Sequence, residues 1–577
     1  MAFICRRNVL RALAAGGMAV SPLGRSAVAL ECNKPDPKHI VIGKQTSGVS
    51  GFDPHLNASA PATEIIGNLY ETLVTPKNGK PDLGLSLATW VEPDGALWTF
   101  TIKPGRRFAS GNPITAADAA FSLKRALEVN SSPTHPLAHL GLTPINAARC
   151  IRADEKNAYV LTIELPEVVE KNIVLHCLTS AYCSILDSEL VKRRRTISPV
   201  IPATCRYAPL EGTSYPGLGP PDACRHDPLD AGENWLRFNS AGSGPFLIRN
   251  AQRTDEIVLE PNVCHPDYVK SSNRLPLIVR DVADPRQQQQ LLQCGEIQVA
   301  WDMAVGPASN VVPGGRAKGA KSSSDAAFSH EQHSKANLLL LCMNTSKMPL
   351  NDPKVRAAIR RTIDNSEFET RRWTAQHRFF PSVIDGFTIE VRTPYNLALA
   401  KKALENHQCR LRLDYLVGAG RSTVANGLAW QLAKSGISAV LDPASTGHIF
   451  RERLEKREFE LALVSFSSDY LHPHSNAHTL CANSAWEESN TFEGPHTLAW
   501  YCHWRDDEIM KTVADAAKAS GPEAQLEFYK HIQDDLFERG PYAFLLEETA
   551  HVKGVKSFLP RLDALDNQTR YGPPKLT

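Results

Sequence analysis

No apolar run in the sequence reaches the roughly 18 to 20 residues that a membrane-crossing helix needs, so a soluble mature protein is expected. Charge of one sign is also missing. Lys and Arg total 64 against 62 Asp and Glu, a formal net charge of +2. Nothing in that balance draws nucleic acid or an anionic membrane surface. There is no Cys-x-x-Cys unit, which argues against a zinc ribbon or a thioredoxin-like site. There is no Gly-x-Ser-x-Gly elbow either: Gly212-Thr-Ser-Tyr-Pro-Gly217 is one residue too long and lies in a Pro/Gly-rich stretch. A phosphate-binding Gly-x-x-x-x-Gly-Lys-Ser/Thr loop is absent, since Gly43-Lys44 lacks the preceding glycine, so the chain is not expected to hydrolyse ATP. His330-Glu-Gln-His333 spaces its histidines three apart instead of the four of a metalloprotease helix. No catalytic apparatus, cofactor or resident metal is therefore expected.

What is present is a chain of 577 residues, more than one hydrophobic core usually organises, so two or three lobes are expected. Its N-terminus has the order of an export signal. Arg6-Arg7 is the basic start, Ala12 to Leu23 the short apolar stretch, and Ala27-Val28-Ala29 the small-x-small cleavage pattern. Residues 1–29 read as a signal peptide, and the twin arginine resembles a Tat signal. Of 13 cysteines, Cys5 falls in that signal, leaving 12. An even number in an oxidising compartment permits disulfides, and Cys205 with Cys224 and Cys481 with Cys502 are the local pairs to expect.

Periodicity places the elements. A buried strand is expected at 38–43, and a helix at 62–74 with Ile65, Ile66, Leu69 and Leu73 on one face. Trp98 to Ile102 alternates at period two, and Thr115 with Asp118 has the spacing of a helix capping box. Residues 203–233 read as a long surface loop and 304–336 as a polar linker between lobes. An apolar strand at 338–342, a helix at 353–363 and alternating elements to 463 follow. A last helix at 526–537 and a final strand at 544–546 complete a mixed α/β pattern.

The stretch from Trp98 through Pro104-Gly105, Phe108-Ala-Ser-Gly111 and Thr115-Ala-Ala-Asp118 to Arg125 resembles a signature of the bacterial extracellular solute-binding proteins, family 5. These are the oligopeptide-, dipeptide- and nickel-binding components of ABC importers. Tyr70-Glu-Thr-Leu-Val74, Gly242-Ser-Gly-Pro-Phe246, Leu350 to Ile359, Phe459 to Leu463 and Gly540 to Leu545 are similar to further family segments, in the family's order. The resemblance implies an α/β, two-lobed periplasmic binding protein (type II, cluster C-like) with an extra small domain inserted in lobe I. Lobe I would comprise 30–75, 195–305 and 540–577, the extra domain 76–194, and lobe II 306–539. The implied function is capture of a peptide-like solute in the periplasm by a monomer. Delivery would be to a membrane permease served by separate ATPase subunits.

Asp469 is the leading site candidate. Phe466-Ser-Ser-Asp469-Tyr-Leu-His-Pro473 resembles the family's Trp-x-x-Asp-Tyr-x-x-Pro, whose aspartate pairs with a peptide's α-ammonium group. A carboxylate enclosed in a cleft offsets the desolvation of a free amine, whereas an exposed turn aspartate would only cap local backbone. Phe466 stands where the family has Trp, keeping an aromatic wall without the indole donor. Tyr470 belongs to the same motif, and Tyr70 and Trp301 are cleft candidates that would otherwise be core. His472, His474 and His478 offer imidazoles for nickel or copper capture by the same fold, but a solvated loop is the expected state. Lys192 to Arg195 reads as an exposed charge run.

Overall fold

Eleven strand segments, several of them buried on both faces, build one continuous sheet. The computed structural model describes residues 39–555 except 47–48, 50, 57–59, 78, 131, 133, 195–231, 251–255, 267–274, 302–327, 392–393, 406–408, 419 and 484–495, together with Leu562–Asp563 and Arg570–Tyr571. In chain order the sheet strands are β1 (Ile40–Lys44), β2 (Phe246–Asn250), β3 (Glu256–Pro261), β4 (Leu277–Asp281), β5 (Val299–Ala300) and β6 (Phe328–Met343). They continue with β7 (Trp373–Ala375), β8 (Cys409–Leu416), β9 (Ile437–Ala444), β10 (Leu461–Ser467) and β11 (Tyr542–Val555). The spatial order is β2-β3-β4-β1-β5-β11-β6-β10-β8-β9, with β7 on β11. The antiparallel ribbon β6/β11 therefore joins two half-sheets, each with parallel and antiparallel pairs.

The first half-sheet packs on helix α1 (Ala60–Leu69) through Ile65, Ile66, Phe246 and Val279. The second buries Leu339, Leu341 and Leu463 on one face and Leu340, Ala462 and Phe544 on the other. Such two-sided burial is why these segments read as continuous apolar runs. Between the halves sits a separate core built on a four-stranded sheet (Ala88–Trp90, Leu97–Ile102, Val160–Glu164, Ile151–Ala153) and helix α2 (Ala116–Val129). The capping box is formed as expected: the Thr115 hydroxyl accepts from the Asp118 amide, and the Asp118 carboxylate accepts from the Thr115 amide at 3.0 Å.

Several expectations need correction. The helix expected to reach 74 stops at Leu69, because the Gly244 amide donates to the Leu69 carbonyl at 3.0 Å and takes over the helix end. The approach is tight enough that a Cβ on Gly244 would lie 2.5 Å from the Leu69 carbonyl carbon. The expected polar linker is shorter than 304–336, since residues from Phe328 onward already pair with β11. Cys481 and Cys502 are free, buried thiols and not a disulfide. Residues 1–29, Cys205 and Cys224 lie outside the described residues. Lys192, Arg193 and Arg194 are exposed at the end of the helix Ser188–Arg194, and Arg195 lies outside the described residues. No helix among the described residues is long and apolar enough to cross a membrane.

One ion pair ties the inserted core to the first lobe. Arg125 of α2 donates to both Asp53 oxygens, at 3.0 and 2.6 Å, and to His55 Nδ1 at 2.9 Å. His55 Nε2, 3.1 Å from the Ser184 carbonyl, then carries the ring proton. Burial by itself would raise the Asp53 pKa; the charge and hydrogen bonds of Arg125 reverse this and lower it. Asp53→Ala removes the carboxylate that faces an enclosed guanidinium and is expected to cost about 3–5 kcal/mol in urea unfolding at pH 7. Because the folded-state pKa is lowered, this stabilisation is present above the unfolded value near 3.8 and is lost as pH falls below it.

Candidate functional site

Asp469 lies in the short loop between β10 and helix α3 (Pro473–Cys481). The loop is pinned on both sides. The Ser468 amide donates to the Ala336 carbonyl at 2.8 Å, and the Ser468 hydroxyl to Asn476 Oδ1 at 2.6 Å. Asn476 in turn donates to the Phe379 carbonyl at 2.9 Å. The Asp469 amide donates to the Ser475 hydroxyl at 3.1 Å. Backbone and neighbours are thus satisfied while the carboxyl group is not: no cation among the described residues offsets its burial, and burial alone raises its pKa to about 7. The group keeps a residual surface, so it is reachable while mostly enclosed.

The strand leading to Asp469 has an open edge. β10 pairs with β6 as far as Ser467, but with β8 only as far as Leu463. Along Val464 to Ser467 one backbone edge has no partner strand among the described residues. Ser465 is exposed there, and Phe466 and Ser467 are half-buried. Such an edge accepts an extended chain through main-chain hydrogen bonds. Phe466 packs against the second lobe's core and supplies an apolar wall. Arg421, at the start of the helix after β8, donates to the Ser465 hydroxyl at 3.2 Å and to the Leu416 carbonyl at 3.0 Å.

Opposite Asp469 stand groups of the inserted core. The side chains of Cys177 and Tyr182 lie close enough to feel its charge, which adds to burial in raising their pKa values. Tyr470 is 3% exposed and joins the inserted domain's core, its hydroxyl 2.9 Å from His139 Nδ1. Tyr70 and Trp301 are placed differently. Each is 2% exposed in the first lobe's core; the Tyr70 hydroxyl accepts from the Ala241 amide at 3.4 Å, and the Lys44 ammonium lies 5.1 Å from the Trp301 ring centroid. The solvated loop expected for His472, His474 and His478 is not observed: His472 caps α3, and His474 and His478 lie on it, packed against the inserted domain. Among the described residues no group of three or more His, Cys, Asp or Glu is arranged to hold a metal ion. Cys177, Tyr182 and His139 were not anticipated, because no local motif marks contacts between the inserted domain and the Asp469 loop, and Arg421 was not because its partner Ser465 lies on another strand 44 residues on.

Residues 78–488 match the family model for bacterial extracellular solute-binding proteins, family 5 Middle. The chain is 20% identical over 564 residues to the probable D,D-dipeptide-binding periplasmic protein DdpA of Escherichia coli (strain K12), covering 92% of this chain and 94% of that protein. Among solved structures it is similar to DppA from Helicobacter pylori in complex with the peptide STSA (TM-score 0.65, 18% identity, 90% and 94% of the two chains). It is also similar to NikA from Staphylococcus aureus in complex with Ni(L-His)2 (TM-score 0.66, 13% identity, 92% and 99% of the two chains). The fold is accordingly the two-lobed periplasmic binding protein fold.

A buried carboxyl with a raised pKa destabilises the fold when ionised. The folded chain holds a proton that the unfolded chain releases between pH 3.8 and about 7, so this contribution weakens stability as pH rises through that window. Asp469→Asn is therefore expected to stabilise the ligand-free protein at pH 8 by up to about 4 kcal/mol and to leave it unchanged near pH 3.5. Urea unfolding of both proteins at the two pH values measures this; an Asn variant less stable at pH 8 would contradict it.

Proposed function

The chain belongs to the bacterial extracellular solute-binding proteins, family 5, and from that premise we propose that it captures a short peptide or peptide-like solute between its lobes in the periplasm. It hands that solute to an ABC permease powered by separate ATPase subunits, acts as a monomer and does not transform what it carries. Asp469 receives the ligand's ammonium group, and the main chain of the ligand adds along the open edge of β10 beside Phe466 and Tyr470. The observation that carries this reading is the uncompensated carboxyl of Asp469 at the end of an unpaired strand edge. An amine supplies the missing cation, and an extended peptide supplies the missing strand. The same reading divides the chain into lobe I (30–75, 195–305, 540–577), the inserted domain (76–194) and lobe II (306–539); the separate apolar cores support three parts but cross these bounds, since Ala181, Leu186 and Val191 pack in the first lobe's core and Tyr542 and Phe544 in the second's.

The fold alone does not select the ligand, since its neighbours hold both a peptide and a nickel complex. The lone carboxylate favours a ligand with a free amine. In calorimetric titration, trialanine is expected to bind at least about 10-fold more tightly than N-acetyl-trialanine, the worth of a charge-assisted hydrogen bond. Asp469→Ala should abolish that difference. Equal affinities for the two peptides, or no binding across a mixed peptide library, would remove the peptide assignment.

A further inference from the structure

The inserted domain and the second lobe meet through histidines. His139, on the turn Ala138–Leu140, stacks on His478 of α3 with ring centroids 4.0 Å apart, and lies 6.4 Å from His474. His176, near the end of the helix Lys171–Cys177, faces His472 at 5.7 Å. His474 and His478 are 6.2 Å apart. His139, His176, His472 and His474 are each at most 8% exposed. His139 Nε2, His176 Nδ1, His474 Nδ1 and His478 Nδ1 are buried with no hydrogen-bond partner among the described residues. Two imidazoles stacked at 4.0 Å cannot both be charged without strong repulsion. Around them the seam holds little to neutralise a cation. From the inserted domain come Lys80, Glu170, Cys177, His135 and Tyr182. The second lobe adds Asp469, Tyr470 and Tyr529. Glu170 is already engaged, accepting from the Asn172 amide at 2.7 Å. Besides the imidazoles, the two parts touch through Tyr470 and Ala517, which pack into the inserted domain's core, through the Tyr470 hydroxyl 2.9 Å from His139 Nδ1, through the Glu170 amide on the Ala517 carbonyl at 2.8 Å, and through two exposed ion pairs, Lys80–Asp385 and Lys518–Glu167.

We propose that this imidazole seam is a proton-operated latch: neutral histidines hold the inserted domain against the second lobe, and their protonation opens the cleft. The inference rests on the two-lobed fold and not on the identity of the ligand. Burial, reinforced by neighbouring imidazoles and, for His176, by Lys80, keeps His176 and His478 near pKa 4 and His474 near 3, and holds His139 and His472 well below the ordinary value of 6.5. Closing the seam thus expels protons, so closure is complete above about pH 6.5 and weakens as pH falls below it. Each imidazole with an ordinary pKa in the open form lowers the closed-to-open ratio about 25-fold between pH 7 and pH 5. Asp469 acts in the opposite direction while the cleft is empty. Its pKa rises on closure from 3.8 to about 7, favouring the closed form about 50-fold over the same interval. Two titrating imidazoles outweigh it.

Small-angle X-ray scattering of the ligand-free full chain at pH 7.5, 6 and 5 tests the latch, with near-ultraviolet circular dichroism confirming that each sample is folded. The wild type is expected to be compact at pH 7.5 and to gain radius reversibly by pH 5. Asp469→Asn, which relieves the closed form of an enclosed ionised carboxylate, should open at lower pH and over a narrower range than the wild type, and the double variant His139→Gln/His478→Gln at lower pH over a broader range. Hydrogen exchange in residues 136–141 and 470–481 should lose protection in step with the radius. A radius and exchange pattern unchanged between pH 7.5 and 5 in both the wild type and Asp469→Asn would overturn the proposal, as would identical opening in a folded histidine variant. If the double variant does not fold, the comparison of wild type with Asp469→Asn decides alone.

Discussion

The pairing of β6 with β11 is the constraint on which the rest of the structure depends. Among the described residues these two strands bridge the halves of the large sheet: β11 pairs with β5 through Val299 and Gly554, while β6 pairs with β10 from Asn337 to Met343. An uninterrupted antiparallel ribbon would resist bending, yet the register breaks between Ser334 and Leu338 and again between Leu339 and Leu340. Extra residues at such breaks kink a strand and release its carbonyls. The freed Ala336 carbonyl anchors the Ser468 amide, and Asn337 Oδ1 accepts from the Ser467 hydroxyl at 3.2 Å. The loop that carries Asp469 is therefore fastened to the point where the two lobes can flex. A hinge motion would move this carboxylate with the second lobe as one body.

Buried charges divide into two kinds, and the division sets Asp469 apart as the proposed ligand contact. Asp53 and Arg125 satisfy each other. Glu547 accepts from Gln376 and from the Ser382 amide, each at 2.8 Å, and Glu548 accepts from Arg372 at 2.6 Å. Arg356 and Arg360 donate to the carbonyls of Gly540 and its neighbours at the end of the helix Gly521–Glu538, where cations complement the helix dipole. Each of these groups is retained because enclosure without a partner costs several kcal/mol. Asp469 breaks the pattern. Unlike these groups, Asp469 has no neighbouring cation to offset its burial, and in the proposed reading a ligand's ammonium group is the partner that comes and goes.

Much of this architecture is legible in the amino-acid order, and the failures share a cause. The Trp98 to Ile102 alternation and the Thr115/Asp118 capping box are local, and both form as written. Asp469 is marked by its immediate neighbours. The polar first half of β6 hides because residues from Phe328 to Ser334 carry no strand-like alternation of apolar residues; pairing with an equally long β11 sustains them. Helix α3 misleads for a related reason. Its segment, Pro-His-Ser-Asn-Ala-His-Thr-Leu-Cys, reads as solvated, but the second lobe's own core and contacts with an inserted domain about 300 residues earlier bury all but His478. Tyr70, a cleft candidate with a core position as the alternative, takes the core position, because Gly242 and Gly244 let the chain pack directly on that helix end.

What the ligand meets is thus largely prepared before it arrives. Ser468, Asn476 and Phe379 fix the loop through hydrogen bonds, so little binding energy is spent on ordering it. The remaining freedom is relative motion of the lobes, and there two ionisable systems oppose each other. Closing the empty cleft draws a proton onto Asp469 and drives protons off the histidine seam. An arriving ammonium group reverses the first of these, since it favours the ionised carboxylate, and leaves the second untouched. Ligand-bound closure then carries a net release of protons larger than empty closure does. The bound, closed state is consequently favoured at neutral pH, and acidification acts against it through both systems at once.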